Sequence, residues 1–165
     1  HNAHPHMCDE SIALVHNGII ENYEQIKKTL EAEGVQFQSQ TDSESIVHLI
    51  GKYQKEGNNL FSSVRESVKH LEGAYALGVI DNQEQHLIAT CSGSPLVIGL
   101  GIGENFIASD VSALLPVTQK FIFLEEGDIA DISRENISIF DAQGHEVERA
   151  VKKSKISADA VERGE

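Results

Sequence analysis

The stretch LVHNGIIEN, residues 14–22, decides how the chain is read. Apolar Leu14 and Val15 run into His16, Asn17 and Gly18. The apolar pair Ile19 and Ile20 follows, without the Pro, Asp or Ser of an ordinary surface turn. Upstream, residues 11–15 read as a short buried strand. Downstream, Ile19, Tyr23, Ile26 and Leu30 recur at helical spacing until Gly34 offers a C-terminal stop. The pattern predicts a strand-to-helix corner at Asn17 and Gly18. Such a corner has a chemical use: a side-chain amide beside a glycine N–H can present two converging donors to a developing oxyanion, and glycine lets a carbonyl group approach the main chain. Asn-Gly is equally a common turn dipeptide, and the residues alone leave both readings open.

Outward from this corner, VQFQS (residues 35–39) alternates like a second strand. Thr41 and Glu44 then form a capping-box pattern, and Ile46, Leu49, Ile50 and Tyr53 continue it as an amphipathic helix. Asp42 sits in the first turn of that helix, where the dipole and unpaired N–H groups favour a carboxylate. The same carboxylate could hold the ammonium of an amino acid. A third helix carries Leu60, Val64, Val68 and Leu71 along one stripe. After Gly73 the character changes to short β-rich runs at near-regular spacing: AYALGVID, HLIATCS, LVIGLG, NFIAS, KFIFLEE, DIADIS and SIFDA, with one helical turn at SALLP. Helices grouped early and strands grouped late predict an α+β domain with a meander of antiparallel strands. Residues 152–165 read as a polar linker.

The 165 residues fit one compact domain. With 26 acidic and 13 basic residues the formal charge is −13, which repels phosphate backbones and anionic lipid heads, so nucleic acid and membrane are excluded as partners. The longest nearly apolar run, PLVIGLGIG (residues 95–103), is too short and glycine-rich to span a bilayer. Two cysteines far apart, Cys8 and Cys91, suggest a reducing, cytoplasmic setting. The glycines of GSPLVIGLGIGEN lie between two strands and not at the opening of a helix, which excludes a phosphate-binding loop. His1, His4, His6 and Cys8 cluster in the sequence but match no zinc spacing, and no metal is expected. His4 can instead orient a nearby loop.

Seven blocks then occur in order: NAHPH (2–6), HNGIIEN (16–22), TDSE (41–44), LEGAYAL (71–77), SGSPLVIGLG (92–101), ENFIASD (104–110) and FLEEGDIA (123–130). Together they resemble the glutaminase domains of the glutamine–fructose-6-phosphate aminotransferase family over nearly the whole chain. The resemblance implies the N-terminal nucleophile hydrolase fold, an αββα sandwich of antiparallel sheets between helical layers, truncated here at its amino end. It implies that the Asn17 side chain and Gly18 N–H form an oxyanion hole, that Asp42 binds the α-amino group of L-glutamine, and that His4 belongs to the substrate side of the site. No cofactor is implied. Ammonia would pass to fructose 6-phosphate in a sugar-phosphate isomerase domain, giving glucosamine 6-phosphate, and the protein would be a homodimer. On this reading residues 1–151 are the C-terminal part of a glutaminase domain, and residues 152–165 lead toward the isomerase domain.

The departures matter too. The family nucleophile is a cysteine at the mature amino terminus, activated by its own α-amine; this chain begins with His1, and Cys8 carries an amide nitrogen that is not basic. The family's TRWATHG-type segment, whose arginine binds the substrate carboxylate, is absent. The resemblance therefore implies a fragment without glutaminase activity of its own. A non-catalytic amino-acid-binding module that kept the pocket without the nucleophile is the alternative, and a histidine-based metal-binding regulator ranks with it below the fragment.

Overall fold

The computed structural model describes residues 6–8, 12–81 and 85–154, the first three by backbone alone. Eleven strands and three helices occur among them. Strand β1 (His6–Cys8) pairs with β2 (Ile12–Ile20), which pairs along all nine residues with β3 (Gly73–Asp81). Adding β4 (Leu87–Ser92), β8 (Ile129–Ile132), β9 (Ile137–Phe140) and β10 (Glu146–Val147) gives a seven-stranded antiparallel sheet of order β1-β2-β3-β4-β8-β9-β10. A smaller antiparallel sheet holds β5 (Val97–Leu100), β6 (Asn105–Ala108), β7 (Lys120–Phe123) and β11 (Val151–Lys153), in the order β11-β7-β5-β6.

Two-residue alternation distributes the apolar side chains over three cores. Leu77, Val79, Ile88 and Ile129 face the helices together with Ile12, Leu14 and Ile20. Their chain neighbours Ala76, Ala89 and Ala130 face Ile98 and Ile122 of the smaller sheet. On the outer side of that sheet Val97 and Phe121 meet Leu114 and Leu115, which follow a 3₁₀ turn at Val111–Ala113. The antiparallel sandwich and the α+β class expected from the sequence are therefore present. Among the described residues the outer face of the smaller sheet is covered by this turn and its loop, whereas the larger sheet carries a full helical layer.

That layer comprises α1 (Tyr23–Ala32), α2 (Asp42–Lys55) and α3 (Leu60–Val68). Helix α2 is buried along Ile46, Val47, Leu49 and Ile50, with Asp42 and Glu44 in its first turn and Lys52 and Lys55 in its last, as the helix dipole favours. Asn59 caps α3, its side chain accepting the Ser62 N–H at 2.8 Å. None of the described helices is long and apolar enough to cross a membrane.

Several local expectations are corrected. Strand β2 does not stop at Val15 but runs to Ile20, so Asn17 and Gly18 lie within a strand and the corner falls at Glu21 and Asn22. Ile19 is 69% exposed because it points away from the helices, while Ile20 is buried. VQFQS forms no strand: its side chains alternate, but the N–H groups of Gln38 and Ser39 donate to the Glu44 carboxylate (2.7 and 2.6 Å) and not to a neighbouring strand. Thr41 is the N-cap of α2 without a side-chain cap bond. The late strands divide between two sheets and do not form a simple meander. Lys152 and Lys153, expected in a linker, belong to β11, and residues 155–165 lie outside the described residues.

Candidate active site

The positions of Asn17 and Gly18 follow from the β2–β3 ladder, where Asn17 pairs with Ala76 and Gly18 with Tyr75. The Glu21 N–H donates to the Glu72 carbonyl at 2.7 Å. The two-residue alternation of an antiparallel ladder then turns the N–H groups of Asn17 and Ile19 toward β3, and those of Gly18 and Ile20 toward the opposite edge. Among the described residues, β1 pairs with that edge as far as Leu14. The Ile20 N–H on this edge donates to Asp42 Oδ2 at 2.8 Å. Gly18 adopts φ +106°, and a Cβ there would collide with the Ala74 carbonyl. Only glycine fits.

Asn17 projects from the other side of the strand and is exposed. It lines a cavity of about 280 Å³ with Val15, Ala76, Gly78, Leu96 and Ile107, at the open end between the sheets. Small residues two apart on β3 make this room: a Cβ at Gly78 would collide with Ile107 and crowd Val15. Asp42 is not part of the cavity lining. The structure thus brings Asp42 to the edge of β2 two residues beyond Gly18, while the Asn17 side chain lines a cavity between the sheets whose lining includes neither Gly18 nor Asp42. His4 lies outside the described residues, as does His1; the side chains of His6 and Cys8 are likewise not described. The described residues contain no group of three or more His, Cys, Asp and Glu able to hold a metal.

Residues that the motif reading passed over hold this arrangement. The His16 side chain, 2% exposed, places Nδ1 2.8 Å from Ser43 Oγ and 3.9 Å from Asp42 Oδ1. Ser43 is buried. Their signal was positional, since each adjoins a candidate residue in the blocks HNG and TDS. Glu44, read as a capping partner, accepts from the Gln38 and Ser39 N–H groups, from the Ser39 hydroxyl at 2.6 Å, and pairs with His48 Nε2 at 3.0 Å. Burial alone would raise its carboxyl, but the hydrogen bonds from Ser39, Gln38 and His48 outweigh it and hold the pKa below the ordinary value. Cys91 offers no nucleophile: it is buried, and desolvation, with the charges of Asp128 and Glu126, pushes its thiol up to about 11.

The profile of the glutamine amidotransferase domain matches residues 1–116. The chain belongs to the glutamine amidotransferase family. This glutamine amidotransferase domain is 54% identical over 165 residues to the glutamine–fructose-6-phosphate aminotransferase (isomerizing) of Idiomarina loihiensis and 52% identical to that of Shewanella oneidensis. Each alignment covers 99% of this chain and 27% of the relative, so the chain spans about a quarter of the length of these relatives. Among solved structures, the domain is similar to glutamine phosphoribosylpyrophosphate amidotransferase from B. subtilis in complex with ADP and GMP. That match has a TM-score of 0.69 at 29% identity and covers 82% of this chain and 30% of the other. A structure described as the allosteric regulatory enzyme of purine biosynthesis matches with a TM-score of 0.61 at 27% identity, covering 88% and 29%.

Proposed function

We propose that this chain is the glutamine-binding part of an aminotransferase that hydrolyses glutamine and passes the ammonia to fructose 6-phosphate, giving glucosamine 6-phosphate. The observation that carries the reading is one edge of β2, which presents the Gly18 N–H and, two residues on, the Ile20 N–H that holds the Asp42 carboxylate, with Asn17 between them and Val15 on the strand and lining a cavity. The ammonium of glutamine binds Asp42, and the side chain runs along the strand so that its amide carbonyl reaches Gly18 and Asn17. A thiolate supplied from outside these residues attacks the amide carbon. The oxygen becomes an anion held by the two donors; the C–N bond then breaks, the nitrogen leaves as ammonia with the proton that the nucleophile's own α-amine took from the thiol, and water cleaves the thioester to glutamate and the free thiol. No cofactor enters these steps. His4 belongs to the substrate side of the site. Residues 1–151 are the C-terminal part of the glutaminase domain, the tail leads toward the isomerase domain, and the protein works in the cytoplasm.

The test is made on the full-length gene product. Asn17→Ala is expected to lower glutaminase kcat by about 10²–10³, the cost of one oxyanion donor. Asp42→Asn is expected to raise the KM for glutamine with a smaller effect on kcat, because it removes binding of a group remote from the reacting atoms. Cys91 cannot attack and Cys8 has no free α-amine, so the isolated 165-residue chain is expected to leave glutamine intact. Turnover by that chain above the buffer rate overturns the assignment of the nucleophile. A full-length product that binds glutamine by calorimetry but never releases glutamate favours the non-catalytic binding module.

A further inference from the structure

We propose that the buried hydrogen bond between His16 and Ser43 sets the length of amino acid that the site accepts, making the two positioning residues that select glutamine over asparagine. The inference rests on the reading of Asn17, Gly18 and Asp42 given above and names what fixes the distance between them. His16 immediately precedes the two donors on β2, and Ser43 immediately follows Asp42 on α2. Their bond, 2.8 Å between largely buried side chains, therefore ties the strand that holds the amide end of the substrate to the helix start that holds its amine end. A second polar link across this junction, from the Ile20 N–H to Asp42, uses the carboxylate that the ammonium would engage, and His16 Nδ1 also approaches that carboxylate at 3.9 Å. The His16–Ser43 bond itself occupies neither Asp42 oxygen, so it is compatible with an ammonium on that carboxylate.

The dimensions suit glutamine. Two strand residues advance about 6.6 Å, which separates the Gly18 N–H from the Ile20 N–H against which Asp42 rests. An extended glutamine spans roughly 5–6 Å from its ammonium nitrogen to its amide oxygen, so it reaches from one to the other; asparagine is about 1.3 Å shorter, one methylene less. A reacting group misplaced by about 1 Å loses on the order of 10² in rate. Selection by length therefore needs the two ends of the site held to better than that, and apolar packing of α2 on β2 does not fix the first turn of a helix so closely. A buried hydrogen bond at that turn does.

The test compares glutamine and asparagine hydrolysis by the full-length protein. Ser43→Ala removes the bond, and Ser43→Thr keeps a hydroxyl. In Ser43→Ala the ratio of kcat/KM for glutamine over asparagine is expected to fall about tenfold and the KM for glutamine to rise several-fold, the scale of one buried hydrogen bond. Ser43→Thr is expected to restore the ratio. Should Ser43→Ala not fold, His16→Phe, which keeps a ring of similar size and has no atom able to bond the Ser43 hydroxyl, carries the same comparison. An unchanged ratio overturns the proposal, and so does an equal loss on both substrates, or a loss that threonine fails to restore. Absence of glutamine hydrolysis by the wild-type full-length protein would instead overturn the functional reading beneath it, so the two failures are told apart.

Discussion

Gly18 shows how one residue carries both backbone and chemistry. Its φ of +106° suits glycine, and the space its Cβ would need is taken by the Ala74 carbonyl. Gly34 provides an internal comparison: it has φ +97° at the end of α1, but nothing lies near its missing Cβ. Gly34→Ala is therefore expected to cost about 1 kcal/mol from backbone strain alone. Gly18→Ala adds a collision with main chain in a paired strand and is expected to cost about 3 kcal/mol or more. Urea unfolding of the two variants measures the difference, and equal midpoints would show that β2 yields at Gly18 without strain. The need for glycine was legible in the dipeptide, but its cause was not, because the obstructing carbonyl belongs to residue 74, brought alongside only by the β2–β3 ladder.

At the scale of an element, α2 is organised by a carboxylate that faces backward. Glu44 takes up the N–H groups of Gln38 and Ser39 and so fastens the extended segment before the helix to its first turn, just where Asp42 must be held. Its folded pKa lies below the unfolded value, so the stability it contributes is fully present above the ordinary carboxylate pKa of 4.5 and is lost as pH falls through the folded value. Glu44→Gln is expected to lower stability at pH 7 and to flatten the fall in stability below about pH 5, seen as denaturant midpoints of wild type and variant that converge on acidification. Midpoints that stay parallel would mean that the bonds contribute equally in the protonated state. The three helices themselves were legible because a 3.6-residue apolar period survives without tertiary information: Ile26 with Leu30, Ile46 with Ile50, and Leu60 with Val64 are all buried. The strand assigned to residues 35–39 was not, since alternation records which side chains are covered and says nothing of where the N–H groups go. The corner failed for a related reason. Ile19 and Ile20 fit a helix stripe or a strand equally well, and nine paired residues on β3 decide for the strand.

For the whole molecule, the α+β class was legible from the grouping of helices and strands, whereas the partition of the late strands was not: β4 pairs with β8, skipping the strands that form the second sheet, and such a choice rests on contacts distant in sequence. That partition has a consequence for association. Val15, at 45% exposed, Ile19, at 69%, and Ile80, at 50%, share the face of β2 and β3 turned away from the helices, at the end of the large sheet opposite β8 and β9. An apolar surface of this kind favours a second copy of the chain, while a net charge of −13 on each copy opposes the encounter. The isolated chain is therefore expected to dimerise at high concentration and to do so more strongly as salt is raised, because screening removes the repulsion and leaves apolar burial intact. Replacing Val15 and Ile80 by serine is expected to return a monomer at every salt concentration. Sedimentation equilibrium decides the matter: a monomeric mass for the unmodified chain at both low and high salt would mean that this face remains open to solvent, with Asn17 accessible between Val15 and Ile19.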